Sequence, residues 1–128
     1  MDIEYLRTYC LAKPNVEETL PFGPDVLVFK VSGKIFLLSA LDEEVFRFSV
    51  KCDPELAIEL RERYACVIPG YHLNKKHWNT VIVDGTAPAT QLKEWIDHSY
   101  NLVAKSTPSK TKTRAKSKTK TKSTRKKK

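Results

Sequence analysis

The sequence predicts an α+β fold in which an antiparallel β-sheet of about five strands has helices packed on one face. Strand-like segments follow one another in the middle of the chain and helical segments flank them, without the strict alternation that a parallel sheet requires. The 128 residues are 41% hydrophobic, which suits one small domain with a single core.

The first predicted helix lies at the start of the chain. Its apolar residues recur at helical spacing: Ile3, Leu6 and Cys10. Asp2 can cap this helix, and Pro14 ends it, because the residue before a proline is driven out of the α-helical region. Residues 17–25, E-E-T-L-P-F-G-P-D, hold two prolines and a glycine, so they predict a turn-rich connector.

Three strands are predicted next, at 26–31, 34–39 and 45–50. Ser32 and Gly33 form a two-residue hairpin loop in which glycine supplies a positive φ. In the third strand Phe46, Phe48 and Val50 occupy alternate positions, which predicts one buried face and one wet face. An antiparallel meander is therefore expected.

A second helix begins after Asp53, an N-cap acid that is followed by proline at the first helical position. The apolar stripe of this helix is Leu56, Leu60 and Tyr64. A short run at 67–70 and a β-branched strand at 78–84 follow, with Trp78 expected in the core. The last helix starts near Pro88, and its core face is expected to carry five residues: Leu92, Trp95, Ile96, Ser99 and Val103.

Charge divides the chain into an acidic-leaning domain at 1–104 and a basic tail at 105–128. The tail holds 12 of the 23 basic residues and none of the 15 acidic ones, so the domain keeps 11 basic residues and a net charge of −4. Lysine nearly alternates with serine or threonine in the tail, and Ala115 is its apolar exception. Such a segment cannot bury enough apolar surface to fold, so we expect it to be disordered when free.

The lysines and arginines of the tail can neutralise phosphates and release condensed counterions. They contact the backbone rather than base edges, so they predict nucleic-acid binding without sequence preference, with DNA favoured slightly over RNA. The predicted tail contacts are Lys110, Lys112, Arg114, Lys116, Lys118, Lys120, Lys122, Arg125, Lys126, Lys127 and Lys128.

Several function classes find no support in the sequence. No apolar run is long enough to span a membrane, and the first residues lack the apolar core of a signal peptide. Cys10, Cys52 and Cys66 form no C-x-x-C pair, which argues against disulfides and a zinc knuckle and favours a cytoplasmic setting. We expect no cofactor and no membrane partner, and we expect a monomer.

The stretch 70–81, G-Y-H-L-N-K-K-H-W-N-T-V, is rich in functional side chains. His72 and His77 are five residues apart, and together with Cys66 they match no common zinc spacing. A Cys–His pair for catalysis does not follow from these spacings. Cys52 precedes a helix N-terminus, which lowers a thiol pKa, but Asp53 opposes that effect. No catalytic or metal residue is assigned, and we expect a protein that is not an enzyme.

Binding is the third interpretation of this stretch. Lys75 and Lys76 can engage phosphates, Asn74 can hydrogen-bond, and Tyr71 can stack on a base, with His77 adjoining them. An ordinary polar turn explains the same residues equally well.

Four segments of the chain resemble one known family. They are P-F-G-P-D-V-L-V-F-K-V (21–31), K-C-D-P-E-L-A (51–57), the stretch 70–81 and L-K-E-W-I-D-H-S-Y-N-L-V (92–103). In this order and spacing they are similar to the MmcQ/YjbR family of bacterial proteins, over residues 1–104. The resemblance implies a CyaY/frataxin-like fold and DNA binding through a double-wing arrangement of hairpins, with the stretch 70–81 as the family signature.

A net charge of −4 is unexpected for a DNA-binding domain, so the domain needs a local basic patch. Lys75 and Lys76 are the candidates, joined by Lys51 or by Lys30 and Lys34 of the first hairpin. The leading hypothesis is a non-enzymatic, nucleoid-associated DNA-binding protein whose tail binds the phosphate backbone. The alternative is a protein-interaction adaptor whose domain binds a polypeptide while the tail tethers it to DNA or RNA.

Overall fold

The computed structural model describes residues 1–71 and 73–106, which form three helices and six strands. The helices are α1 (Ile3–Leu11), α2 (Pro54–Arg63) and α3 (Ala89–Ser106). The strands are β1 (Val16–Thr19), β2 (Val26–Val31), β3 (Lys34–Ala40), β4 (Arg47–Lys51), β5 (Val67–Pro69) and β6 (Trp78–Ile82).

The six strands form one antiparallel sheet in the order β1-β2-β3-β4-β6-β5. Strands β2, β3 and β4 make the expected meander, and α2 carries the chain to the far edge, where β5 pairs with β6. The three helices pack against one face of the sheet, so the predicted α+β class is confirmed.

The predicted helix N-caps and the predicted hairpin turn are present at the expected positions. The side chain of Asp2 accepts a hydrogen bond from the N–H of Tyr5 at 2.9 Å, and that of Asp53 accepts one from the N–H of Leu56 at 3.4 Å. Ser32 and Gly33 have φ values of 51° and 86°, as a two-residue hairpin turn with two left-handed residues requires.

Strand β1 is not predicted from the sequence, which indicates a connector across 17–25. Glu18 of this strand points to the helices, where Arg7 of α1 donates two hydrogen bonds to its carboxylate, one of them 2.9 Å long. These bonds lower the pKa of Glu18. Glu17 lies opposite Lys30 of β2. A strand at the edge of a sheet tolerates such charges, which an interior strand would not.

Both edges of the sheet are short. Strand β1 has four residues, two of them glutamates, and β5 has three residues and ends in Pro69. Proline has no N–H to donate, and charged side chains oppose the approach of another strand. Neither edge therefore offers a long row of free backbone groups.

The core lies between the sheet and the helices. All five residues predicted for the core face of α3 are buried. The ring of Phe36 on β3 meets the ring of Tyr100 on α3 edge-on, with 5.4 Å between centroids. The hydroxyl of Ser99 donates to the carbonyl of Phe36 and accepts from the N–H of Lys51 at 2.9 Å. One buried hydroxyl thus joins α3 to two strands.

The burial of two side chains differs from the prediction: Trp78 is only half-buried, and Ala57, which lies outside the predicted apolar stripe of α2, is fully buried. Trp78 is half-buried and lies on the face away from the helices, since Asn79 and Val81 point to the helices and side chains alternate along a strand. Ala57 of α2 is fully buried, because α2 approaches β6 there and the carbonyl of Ala57 accepts from Nδ2 of Asn79 at 3.3 Å.

Candidate functional site

The loop between β5 and β6, residues 70–77, folds over the sheet face that the helices leave uncovered, here called the open face. The N–H of Gly70 donates to the carbonyl of Trp78 at 2.9 Å. A Cβ at Gly70 would lie 2.8 Å from the Cβ of Trp78, so glycine permits this close turn. The N–H of Tyr71 then donates to Oγ1 of Thr80 at 3.0 Å, which fixes the loop on the open face.

The predicted binding residues of this loop have different surroundings. Nζ of Lys75 donates to the carbonyl of Gly70 at 3.1 Å, and the side chain of Asn74 accepts from the N–H of Lys76 at 2.9 Å. Both lysines and Asn74 are exposed, whereas His77 is half-buried. Lys75 and Lys76 therefore present their charges to solvent at the tip of the loop.

The antiparallel register brings lysines from distant parts of the chain to one end of the sheet. Lys51 at the end of β4 lies opposite Trp78, and the same end of β4 lies beside the start of β3. The β2–β3 hairpin and the loop 70–77 are therefore at the same end, here called the lysine end. It carries Lys30, Lys34, Lys51, Lys75 and Lys76.

The lysines of this end form no ion pairs with described residues. The ion pairs in the described part of the chain involve other cations: Arg7, Lys13, Arg47 and Arg63. Arg61 of α2 adds a further positive group nearby, since its Nη2 donates to the carbonyl of Lys75 at 2.8 Å.

The opposite end of the sheet is acidic. The loops 20–25, 41–46 and 83–88 lie there and contain no lysine or arginine. Their carboxylates are all exposed: Asp25, Asp42, Glu43, Glu44 and Asp84. The net charge of −4 is thus unevenly distributed, and the sheet is positive at one end and negative at the other.

Helix α3 runs from the acidic end to the lysine end. Near its start, Gln91 accepts a hydrogen bond from the hydroxyl of Tyr64 at 3.4 Å, beside β5. Near its end, Tyr100 donates to the carbonyl of Pro14 at 2.6 Å, beside the β2–β3 hairpin. The chain therefore continues toward the basic tail from the lysine end. The predicted tail contacts at 110–128, like His72, lie outside the described residues.

The open face also holds a groove of about 430 Å³. Its floor includes the apolar residues Val26, Leu38 and Ala40. Two aromatic residues line it from opposite edges of the sheet. Phe22 comes from the loop between β1 and β2, and Tyr71 comes from the loop between β5 and β6. These two rings are 63% and 58% exposed.

Polar groups of the groove come from β4, β6 and the acidic loop 41–46. Arg47 lies 3.6 Å from a carboxylate oxygen of Glu43, and its Nε is buried without a hydrogen-bond partner among the described residues. The hydroxyls of Ser49 and Thr80 are 2.8 Å apart. One proton suffices for that bond, so a second hydroxyl proton of the pair remains to be donated.

The thiols have unfavourable surroundings for reactive chemistry. Burial, reinforced by Asp53, raises the pKa of Cys52 to about 11, and burial raises that of Cys10 to about 12. Cys66 is buried as well. Within residues 1–71 and 73–106, no three side chains of His, Cys, Asp or Glu form a group that could hold a metal ion. Among the described helices, none combines the length and apolarity needed to cross a bilayer.

The groove is the feature that sequence reasoning missed. Arg47 and Ser49 belong to the predicted wet face of their strand, so the alternation in 45–50 could have indicated them. Phe22 and Tyr71 lie 49 positions apart in loops, and no local pattern predicts that both reach one face of the sheet.

Sequence comparison links the chain to proteins of one family. The YjbR family model matches residues 11–102. YbdF of Escherichia coli O157:H7 is 39% identical over 100 residues, which cover 78% of this chain and 82% of YbdF. YjbR of Escherichia coli strain K12 is 36% identical over 108 residues, which cover 84% of this chain and 92% of YjbR.

Solved structures show the same relationship. Protein DR2400 of Deinococcus radiodurans, a DUF419 domain, matches with a TM-score of 0.79 and 43% identity, over 82% of this chain and 80% of that one. A Pseudomonas syringae protein matches with a TM-score of 0.71 and 28% identity, over 80% of this chain and 99% of that one. The resemblance drawn from the four sequence segments is confirmed, and the chain belongs to the YjbR family.

Proposed function

We propose that this protein is a non-enzymatic, nucleoid-associated protein that binds the phosphate backbone of DNA through the lysine end of its sheet and its basic tail. The observation that carries the proposal is the convergence of five lysines from three segments of the chain at one end of the sheet. Because these lysines have no ion-pair partners in the described part of the chain, they are available to phosphates.

The position of the hairpins supports a backbone-binding role. The tips of the β2–β3 hairpin and of the loop 70–77 flank Lys51, and two such projections can straddle a phosphate backbone. This is the arrangement that a double-wing protein would use. The acidic end of the sheet repels phosphates, so DNA approaches in one orientation, toward the lysine end.

The tail extends the same surface. Helix α3 ends with Ser106 at the lysine end, so we propose that the tail adds its charges to the same surface. The tail holds 11 basic residues after Ser106. If it contacts about 8 phosphates, the logarithm of the DNA affinity falls with the logarithm of salt concentration with a slope near −7.

The test is a salt series of duplex DNA binding by three full-length proteins. The first is the wild type, the second carries Lys75→Gln and Lys76→Gln, and the third carries Arg63→Gln and Lys93→Gln as a charge-matched control on α2 and α3. We expect the slope to become shallower by about 2 in the second protein, about 1 for each lost phosphate contact, and to stay unchanged in the control. Equal slopes in all three proteins would refute a role for the lysine end.

A second candidate is an adaptor whose domain binds a polypeptide while the tail alone contacts nucleic acid. The exposed rings of Phe22 and Tyr71 favour it, since exposed aromatic residues are common at protein interfaces. A fourth protein, with the basic residues of 110–128 replaced by glutamine, separates the two candidates. The adaptor hypothesis requires that this protein lose all DNA binding, whereas under the leading proposal it retains a weak, salt-sensitive affinity.

A further inference from the structure

We propose that the groove on the open face holds one unpaired nucleobase, preferentially guanine, from a single strand whose phosphates lie along the lysine end. This inference rests on the proposed function and extends it from the backbone to a base. It is carried by the groove itself, whose size, aromatic sides and polar groups fit a flat ring with polar edges.

The apolar part of the groove suits the faces of a base. Its volume of about 430 Å³ falls in the range of about 300–1,000 Å³ that is typical of small-ligand pockets. Phe22 and Tyr71 line it from loops at opposite edges of the sheet, and both residues are more exposed than buried. Exposed aromatic rings above an open sheet are the usual stacking platforms for unpaired bases.

The polar groups of the groove suit the edge of guanine. Nε of Arg47 and the remaining hydroxyl proton of the Ser49–Thr80 pair are donors that need acceptors. Asp42 and Glu43, which line the groove on its acidic side, supply exposed carboxylate acceptors, although Glu43 also lies 3.6 Å from Arg47. Guanine carries a carbonyl acceptor beside a ring N–H and an amino group, so one base edge can satisfy both sets.

The order of charges along the open face fits a nucleotide as well. The groove extends toward the acidic end, whereas Lys30 and Lys51 lie on the open face at the lysine end. A nucleotide with its phosphate at the lysine end directs its base edge toward the acidic loop 41–46. A free carboxylate ligand fits less well, because Asp42 and Glu43 outnumber Arg47 and would repel it.

The need for an unpaired base distinguishes this inference from binding to the phosphate backbone. In a duplex the hydrogen-bonding edge of guanine is occupied by cytosine, so the groove can accept the base only from a single strand. The domain should therefore prefer a single strand that contains guanine over a duplex of the same sequence, a preference that lysines alone cannot produce.

The experiment compares short probes with the full-length protein at fixed salt, by fluorescence anisotropy. The probes are nine-residue thymidine strands with guanine, inosine or thymine at the centre, the duplex of the guanine strand, and a uridine strand with central guanine as the RNA counterpart. We expect the guanine strand to bind about tenfold more tightly than the thymine strand, which is within the discrimination that a good bidentate contact to a base edge provides. Inosine lacks the amino group and should fall between the two, and the RNA probe tells which sugar the site prefers.

Single substitutions test whether the preference for the guanine strand arises in the groove. Tyr71→Ala should bring the guanine strand to the affinity of the thymine strand, and Tyr71→Phe should restore the preference, since stacking needs only the ring. Tyr5→Ala removes a ring of comparable exposure from α1 and should change nothing. Arg47→Met should reduce the preference for guanine without changing duplex affinity.

The outcomes separate this inference from the proposed function. If every strand binds equally and Tyr71→Ala has no effect, while Lys75→Gln with Lys76→Gln still weakens duplex binding, the base site is refuted and backbone binding stands. If no probe binds, both proposals fail. A guanine preference that Tyr71→Ala abolishes establishes the groove as the base site.

Discussion

The two faces of the sheet are made by the same strands, yet their packing and polar groups differ. On the helix-covered face, Phe36 and Tyr100 fill the space between the layers, and the hydroxyl of Ser99 pairs with a carbonyl and an N–H. Oδ1 of Asn79 is the exception there, since it is buried without a hydrogen-bond partner among the described residues. On the open face, aromatic rings stand exposed around a groove, and Nε of Arg47 is buried without a partner in the described part of the chain.

This difference indicates what each face contributes. Complete burial of large apolar side chains stabilises a fold, so the helix-covered face holds the fold together. Aromatic rings that stand exposed around an apolar groove are typical of a binding surface. Substitutions should therefore lower stability on the first face and alter binding on the second, and the predictions below test that division.

The largest contrast is expected between two phenylalanines. Phe36 is fully buried, whereas Phe22 is 63% exposed. Phe36→Ala should lower the free energy of unfolding by about 3–5 kcal/mol, because it leaves a cavity in the core, and Phe22→Ala should change it by less than about 0.5 kcal/mol. Urea unfolding of both variants measures the difference. Similar losses in the two variants would show that the open face is part of the core.

Two serines provide a smaller contrast. Ser99→Ala should cost about 1–3 kcal/mol, because the N–H of Lys51 and the carbonyl of Phe36 lose a buried partner. Ser49→Ala removes a half-buried hydroxyl that pairs with the hydroxyl of Thr80, and it should cost less. The same urea titrations rank the two, and a greater loss for Ser49→Ala would contradict the contrast.

Alkaline pH should weaken the helix-covered face through Cys10. Burial raises its pKa from 9.0 to about 12. The contribution of the protonated thiol to the free energy of unfolding is therefore fully present below pH 9 and is lost as pH rises toward 12. Its effect on the free energy of unfolding should approach about 1.4 kcal/mol per pH unit between these values. Unfolding at pH 8, 9.5 and 10.5 tests this, and Cys10→Ala should show a shallower decline. Identical declines in both proteins would assign the effect to other groups.

A small effect on stability is also expected at Arg47. Arg47→Met keeps most of the side-chain volume and removes the unpaired Nε, so the free energy of unfolding should change by less than about 1 kcal/mol. Thermal unfolding with the wild type in parallel measures it. A loss of several kcal/mol would mean that Arg47 serves the fold rather than the groove.

The sequence predicts those parts of the molecule that depend on local pattern. The spacing of Leu92, Trp95, Ile96, Ser99 and Val103 identifies the buried side of α3, since helical period and burial agree there. Strand β1 is missed because its two glutamates resemble a connector, and the partner of Glu18 is Arg7 of α1, which lies 11 positions earlier in the chain. Local composition cannot reveal such a partner.

The candidate site is predicted only in part for the same reason. Lys75 and Lys76 are recognisable as a pair because they are adjacent in the chain. Their alignment with Lys30, Lys34 and Lys51 depends on the strand order, which brings residues 46 positions apart to one end. The groove needs two loops from opposite edges of the sheet, and its geometry exists only after the sheet has formed.

The short edges of the sheet would limit aggregation if many copies of the protein bound along one DNA molecule. Molecules bound side by side on DNA are held at high local concentration, where sheets with long free edges tend to fuse into fibres. With two glutamates in β1 and Pro69 in β5, neighbouring copies have little backbone to share. If the protein binds DNA as proposed, copies that crowd along it should therefore still dissociate as individual molecules.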